Sequence, residues 1–334
     1  MTAPRPERSL VTSIGARPNV SVVIPCHDAA RFLSDALDSV LRQQEVELDV
    51  HVVDDGSPDG DRIGEVVSVF RQAGAPVQLH REPHRGVAAA RNAGLAAVRS
   101  PWVAFLDADD RWRPGFLRRQ LDLLQNDDVD LVWCDAAFFG PAATEKTTVM
   151  QTHPSEGEPT LAAVLAGRCM PVMSTVVART ATVRRAGGFD TRLEACEDFE
   201  LWARLVADGA RLAWTDEVGA ERRLHARNRS HDTRRMVRGQ LEVLRRWAPK
   251  IPVGHPLRRA VMRRREALDR EMQLTRAREA IAAGDPHAAR LALWEVVRRG
   301  GSAKHAMGAV ALRVMPRPAL NWLSRRLGPD APTA

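Results

Sequence analysis

The sequence predicts an α/β fold, a doubly wound and mainly parallel sheet with helices on both faces, followed by a small α-helical region. Three observations carry this prediction. Apolar runs of strand length alternate with helically spaced apolar segments from Val20 onward, the order that crossover helices give to a parallel sheet. Several of these runs stop abruptly in carboxylates, which would gather at the carboxyl edge of one sheet, where open α/β folds bind ligands. Charge then changes sign along the chain: residues 221–334 hold 24 Arg and 2 Lys against 10 acids, a net of +16, leaving −9 for residues 1–220.

Taken in order, Val20 to Ile24 is a continuous apolar strand stopped by Pro25. Asp28 is placed to cap the next helix, where Phe32, Leu33, Ala36, Leu37, Val40 and Leu41 recur at helical spacing. Leu48 to Val53 is a second strand ending in Asp54-Asp55-Gly56-Ser57-Pro58, and Ile63, Val66, Val67 and Phe70 mark the helix behind it. A short strand at 77–79 and a helix at 87–98 lead into Trp102 to Leu106, too short and too β-rich for a helix. Further strands are expected at 129–133 and 172–178, a helix at 160–166 between them, and a loop from Pro141 to Pro159. A short helix from Thr180 should end at Gly187-Gly188, and Glu197-Asp198 should open another. Beyond residue 236 the pattern is helical and Arg-rich, with Asp285 and Pro286 starting the second arm of a hairpin.

At 334 residues and 44% apolar, the chain suits one large domain and a smaller one. The expected division is a disordered lead-in at 1–18, the sheet domain at 19–235 and a basic α-helical region at 236–334. No apolar run reaches the length of a membrane span, and the first residues lack the apolar segment of a signal peptide. Four widely spaced cysteines without a C-x-x-C pair argue for reduced, buried thiols rather than zinc or disulfides. These features predict a cytoplasmic protein.

The most informative stretch is Phe105-Leu106-Asp107-Ala108-Asp109-Asp110. Alternation along an extended chain would point Asp107 and Asp109 the same way, and such hard oxygen ligands suit a divalent cation shared with a phosphate. Glycine-rich phosphate loops are missing, so any phosphate would be met by metal and arginine. Arg85 stands just before a helix and Arg91 lies on it, in Ala-rich surroundings that place it against something other than water.

Ser21-Val22-Val23-Ile24-Pro25, Val53-Asp54-Asp55-Gly56-Ser57, Arg85-Gly86 through Arg91-Asn92-Ala93-Gly94, and Phe105 through Asp110 occur in order at familiar spacing. Together they resemble the family-two glycosyltransferases, which have the GT-A nucleotide-sugar fold; the resemblance covers residues 19 to 230. It implies that Pro25, with Asp28 beside it, lines the base pocket. Asp55, supported by Asp54, would hydrogen-bond the ring nitrogen of a uracil-like base. Asp107 resembles the ribose-side acid of the D-x-D motif and Asp109 the main metal ligand, with Arg85 and Arg91 orienting the sugar nucleotide or the acidic cluster. Glu197-Asp198 resembles the family's Glu-Asp element, which makes Asp198 the expected catalytic base and Glu197 the next candidate. The segment Arg223-Leu224-His225 with Ser230 resembles the one after the last strand, where His225 would be a further metal ligand beside Asp107 and Asp109.

The function expected is therefore metal-dependent (Mn²⁺ or Mg²⁺), inverting transfer of a sugar from a nucleotide-diphosphate donor, UDP-sugar favoured, to a glycan or lipid-linked acceptor. A nucleotidyltransferase would want a Lys-bearing glycine loop, and a phospho-accepting signalling domain a strand-end Lys; neither is present. An inactive scaffold is the remaining alternative, against which the full set of acids argues. The basic C-terminal region suits peripheral contact with anionic membrane at its inner face. No aromatic-interleaved basic motif points to nucleic acid.

Overall fold

In the computed structural model, residues 17–126, 128–143, 147–225, 228 and 232–327 are described. The first sixteen residues of the expected lead-in and Ser230 lie outside this set. The first half runs β1 (Asn19–Cys26), α1 (Ala30–Leu41), β2 (Glu47–Asp55), α2 (Gly60–Gln72), β3 (Val77–Glu82), α3 (Val87–Ala97) and β4 (Trp102–Phe105). Then come β5 (Arg111–Trp112), α4 (Phe116–Asn126), β6 (Leu131–Phe139), α5 (Val149–Thr152) and α6 (Leu161–Leu165). β7 (Val177–Arg179), α7 (Thr180–Arg185), α8 (Glu197–Ala207) and β8 (Leu212–Arg223) complete the sheet domain. Five helices follow: α9 (Thr233–Trp247), α10 (Pro256–Ala282), α11 (Pro286–Arg298), α12 (Ala303–Val314) and α13 (Pro316–Leu327).

The sheet has the order β3-β2-β1-β4-β7-β6-β8-β5. β1 to β4 are mutually parallel, as is β6 with β8, while β7 and β5 run against their neighbours. The strand expected at 172–178 is shorter than its apolar run: Met173–Thr175 forms a 3-10 turn, leaving β7 to begin at Val177. The expected loop from Pro141 to Pro159 contains α5, started by a capping box between Thr148 and Gln151. The first N–H of α1, at Ala30, is taken by Asp59 Oδ2 at 3.0 Å. The carboxylate at that helix start therefore comes from the loop after β2, and Asp28 stands one residue before the cap position.

Period-two alternation sends side chains to two cores. Val20, Val22 and Ile24 of β1, with Trp102 and Ala104 of β4, pack beside α1, α2 and α4. Val23, Val103 and Phe105 face the other way, toward α3, α6, α8 and α9. Gly94 matters here because a Cβ on it would sit 2.4 Å from Val23 Cγ1; only a residue without one lets α3 lie so close to β1. The second core continues into α10 through Leu257, Val261, Leu268 and Met272. A separate small core joins the end of α10 to α11, α12 and α13, through Ile281, Leu293, Leu312 and Leu323 among others. All four cysteines are buried free thiols. Among the described residues no helix is long and apolar enough to cross a membrane.

Candidate active site

The carboxyl ends of β1, β2 and β4 bring the predicted residues to one edge. Pro25 and Cys26 on β1 pair with Val53 and Asp54 on β2. Asp54 is buried and turns the chain locally: its Oδ1 accepts the Ser57 N–H at 2.9 Å, and Arg81 lies 3.9 Å from Oδ2. Asp55, equally buried, reaches across to the start of α3, where Arg85 N–H donates to Oδ1 at 2.8 Å and Gly86 N–H to Oδ2 at 2.9 Å. Such charge-assisted bonds to backbone donors fix the carboxylate's position. His27 Nδ1 and His84 Nδ1 both hydrogen-bond the Asp55 carbonyl oxygen, at 2.9 and 3.0 Å, and the two rings stack at 4.2 Å. Among the described residues His27, Asp55 and His84 also form a group whose potential ligand atoms lie within 4.8 Å of one another. Asp28 sits in the same turn with φ 52°, its N–H donating to Ser57 Oγ at 3.3 Å.

The acidic stretch after β4 divides by environment. Asp107 faces Arg91, which is buried on α3 and spans two acids: Nη2 donates to Asp107 Oδ1 at 2.7 Å and Nη1 to Glu197 Oε1 at 2.6 Å. Burial by itself would lower the arginine's pKa, but Asp107 and Glu197 hold it above its ordinary value. This one guanidinium ties the end of β4 to the start of α8. Arg85, by contrast, is exposed and pairs with Glu82 at 2.8 Å; it lines an open cleft of about 350 Å³ with Leu193, Glu194 and Arg235.

Asp109 points elsewhere. Its Oδ2 lies 2.9 Å from His225 Nε2 and accepts from Asn228 Nδ2 at 3.2 Å, while the His225 ring stacks on Phe32 at 4.9 Å. Burial, and then the charge of Asp107, push the Asp109 carboxyl upward, with the bond to His225 opposing them. Of the three predicted metal residues, Asp109 and His225 therefore meet directly, and Asp107 engages Arg91 at one oxygen. Asp110 is fully enclosed: its Oδ2 accepts from Ser174 Oγ at 2.6 Å and its Oδ1 from the Arg223 N–H at 2.9 Å. Burial, then Asp109 and Asp107, push it up to about 8. Ser174 Oγ in turn accepts the Asp107 N–H at 3.2 Å.

α8 supplies the second half of the site. Gly187 and Gly188 adopt φ values of 85° and 70°, and Asn92 on α3 clamps the turn, accepting the Phe189 N–H and donating to the Phe189 carbonyl, both at 2.8 Å. A Cβ on Gly188 would lie 2.4 Å from Asn92 Oδ1. The chain then returns to open α8 with Glu197 and Asp198 in its first turn, where acids are favoured by the helix dipole. Asp198 Oδ1 accepts the N–H of Phe199 at 2.7 Å. Its pKa is pushed up to about 6 by burial and by the charge of Glu197, with Arg91 pulling the other way.

Sequence reasoning gave no site role to His27, His84, Asp110, Ser174 or Asn228. His27 and His84 flank recognised positions and Asp110 extends an acidic run, so each carried a local signal. Ser174 and Asn228 carried none, because they reach the site from 64 and 119 residues away.

Comparison with known proteins bears on the family and the fold. Residues 21–184 match the model for glycosyl transferase family 2. The amylovoran biosynthesis glycosyltransferase AmsB of Erwinia amylovora is 38% identical over 106 residues, 31% of this chain and 35% of that protein. The chain spans 34–37% of the length of the first three curated relatives it matches. Among solved structures, S. aureus TarS 1-349 in complex with UDP-GlcNAc aligns with TM-score 0.60 and 16% identity, covering 92% of this chain and 91% of that one. The mannosyltransferase PcManGT from Pyrobaculum calidifontis, in complex with GDP-Man and Mn²⁺, aligns with TM-score 0.60 and 19% identity over 94% and 86%. Residues 21–184 are therefore a glycosyl transferase family 2 domain, carried on a sheet of GT-A fold.

Proposed function

We propose that residues 19–235 transfer a sugar, with inversion, from a nucleotide-diphosphate donor, UDP-sugar favoured, to a hydroxyl of a cell-surface glycan or glycolipid. The observation that carries this reading is the Asp107–Arg91–Glu197 bridge, which joins the donor-side acids to the helix bearing Asp198. Asp55, held by two backbone donors, is the base-reading carboxylate, with Asp54 fixing the turn beneath it and Pro25 and Asp28 alongside. Asp107 serves the ribose, while Arg85 and Arg91 serve the donor's charged groups. The names of the relatives support an acceptor in envelope polysaccharide synthesis, and the nucleotide complexes of the structural neighbours support the donor class.

The donor set fits a divalent cation, Mn²⁺ or Mg²⁺: Asp109 offers a carboxylate and His225 an imidazole in contact with it, with Asp107 close enough to raise Asp109's pKa. A cation held there would supply positive charge for the diphosphate as it leaves. Asp198 removes the acceptor's proton, and the acceptor oxygen attacks the anomeric carbon opposite the leaving group. Glu197 keeps Arg91 in place and raises Asp198's basicity. Helices α9 to α13 extend the domain as a basic helical body. Its charge suits peripheral contact with anionic membrane, on the cytoplasmic side if the sugar nucleotide is drawn from the cytoplasm.

Calorimetric titration of UDP tests the donor side. The wild type is expected to bind UDP more tightly with Mn²⁺ than with excess chelator, and Asp109→Asn should lose that difference while keeping its melting profile. Equal affinity in chelator would remove the cation from this reading.

A further inference from the structure

The last two described helices carry a surface that the transfer chemistry does not use. α12 buries Gly308, Ala309 and Leu312 against α11 and α13, and turns Met307, Val310 and Val314 outward at i, i+3 and i+7. Met315 follows at the helix end, and Trp322 projects from α13, whose buried contacts are Ala319 and Leu323. These five side chains are 44–69% exposed. A protein surface tolerates single exposed apolar groups, but Met307, Val310 and Val314 set three of them along one side of one helix, and such a stripe marks an interaction site.

The charge around this stripe has one sign. From Val296 to Pro329 the sequence contains seven basic residues and no acid. Arg298 and Arg299 are partly neutralised by Glu295. Lys304, Arg313 and Arg317 are exposed, and none of the ion pairs among the described residues involves them. An isologous dimer through this face would set these three cations against the same cations of the second copy, with no acid between them. A polyanionic glycan or nucleic acid would use the cations but leave Met307, Val310 and Val314 without a role. An anionic lipid surface uses both: apolar side chains enter the headgroup boundary and flanking Lys and Arg meet lipid charge, the two-signal pattern of interfacial helices.

We propose that the outward side of α12, through Met307, Val310 and Val314 with Lys304, Arg313 and Arg317 flanking it, is the membrane-docking surface of this protein, with anionic phospholipid as its partner. The inference rests on the membrane-surface part of the reading above and is independent of how the sugar is transferred.

Co-sedimentation with vesicles tests it, using phosphatidylcholine alone and phosphatidylcholine mixed with phosphatidylglycerol, at low and high salt. The full chain is expected to sediment with the anionic vesicles only. Val310→Ser with Val314→Ser, and separately Arg313→Gln with Arg317→Gln, should each lower vesicle partitioning by about tenfold or more. All four side chains are exposed, so both double variants should keep the wild-type melting profile; the arginine pair, which removes no apolar packing, provides the test if the valine pair misfolds. Salt should weaken the wild type without removing the effect of the valines. No sedimentation at low salt would overturn the proposal, as would binding insensitive to both double variants. So would self-association that the valine variants abolish while vesicle binding is absent. UDP affinity measured on the same samples separates the two readings: lipid binding without UDP binding contradicts the transferase reading alone, and the reverse contradicts only the docking surface.

Discussion

Asp198→Asn is expected to lower turnover by at least about 100-fold, the lower end of what general-base catalysis contributes, while UDP affinity stays near wild type. The substitution keeps the oxygen that accepts the Phe199 N–H and removes only the proton acceptor. The wild-type rate should rise with pH through about 6, where Asp198 ionises, rather than near the ordinary carboxylate value, and the variant's residual rate should lack that limb. Stability should move in the opposite sense. A carboxyl whose pKa is raised on folding contributes stability that is full below its unfolded pKa and is lost as pH rises through about 6. The Asn variant should therefore melt no lower than wild type at pH 8. A purely structural acid at a helix start makes a different prediction, because its loss costs about 1 kcal/mol of stability and leaves the rate intact. Near wild-type transfer by Asp198→Asn, with loss of transfer in Glu197→Gln, would assign the base to Glu197.

Arg91→Met is expected to destabilise the fold by about 3–5 kcal/mol, the range for removing one partner of a buried ion pair. That corresponds to a melting temperature lower by roughly 10 °C in a domain of this size. The larger share belongs to Glu197, because Asp107 is open enough for water to replace much of what Arg91 supplies. Arg91→Lys keeps the charge but lacks the fork that reaches both acids, so it should fall between the two. In a double-mutant cycle, Glu197→Gln should recover part of the loss in Arg91→Met. Additive effects would show that Arg91 and Glu197 act separately and would leave the bridge without an energetic role.

The parallel half of the sheet was legible because each strand is an apolar run bounded by a turn and each helix shows its buried stripe. The carboxylates at the ends of β2 and β4 were legible for the same reason. β5 has two residues and no periodicity to read. β8 alternates weakly and carries charged residues at 216–217 and 221–223, so its pairing with β6 and β5 depends on partners distant in sequence. The apolar run at 172–178 looked like one strand, yet its first half turns to place Ser174 between Asp107 and Asp110, a contact that no local pattern encodes. Within the site, spacing identified which acids would gather, but not how they divide. Asp107 faces an arginine, Asp109 a histidine, and Asp110 a hydroxyl and a backbone N–H. Those partners come from α3, the end of β8 and the segment after it, and the turn before β7, and only the fold brings them together.

The measurement that bears most directly on the central claim is product analysis after incubation with a panel of UDP-sugars and Mn²⁺, with water as acceptor where no natural acceptor is supplied. The account predicts UDP as the nucleotide product, released sugar of inverted anomeric configuration as it first forms, and neither product from Asp198→Asn above background. Release of UMP or pyrophosphate, or a sugar of retained configuration, would contradict it.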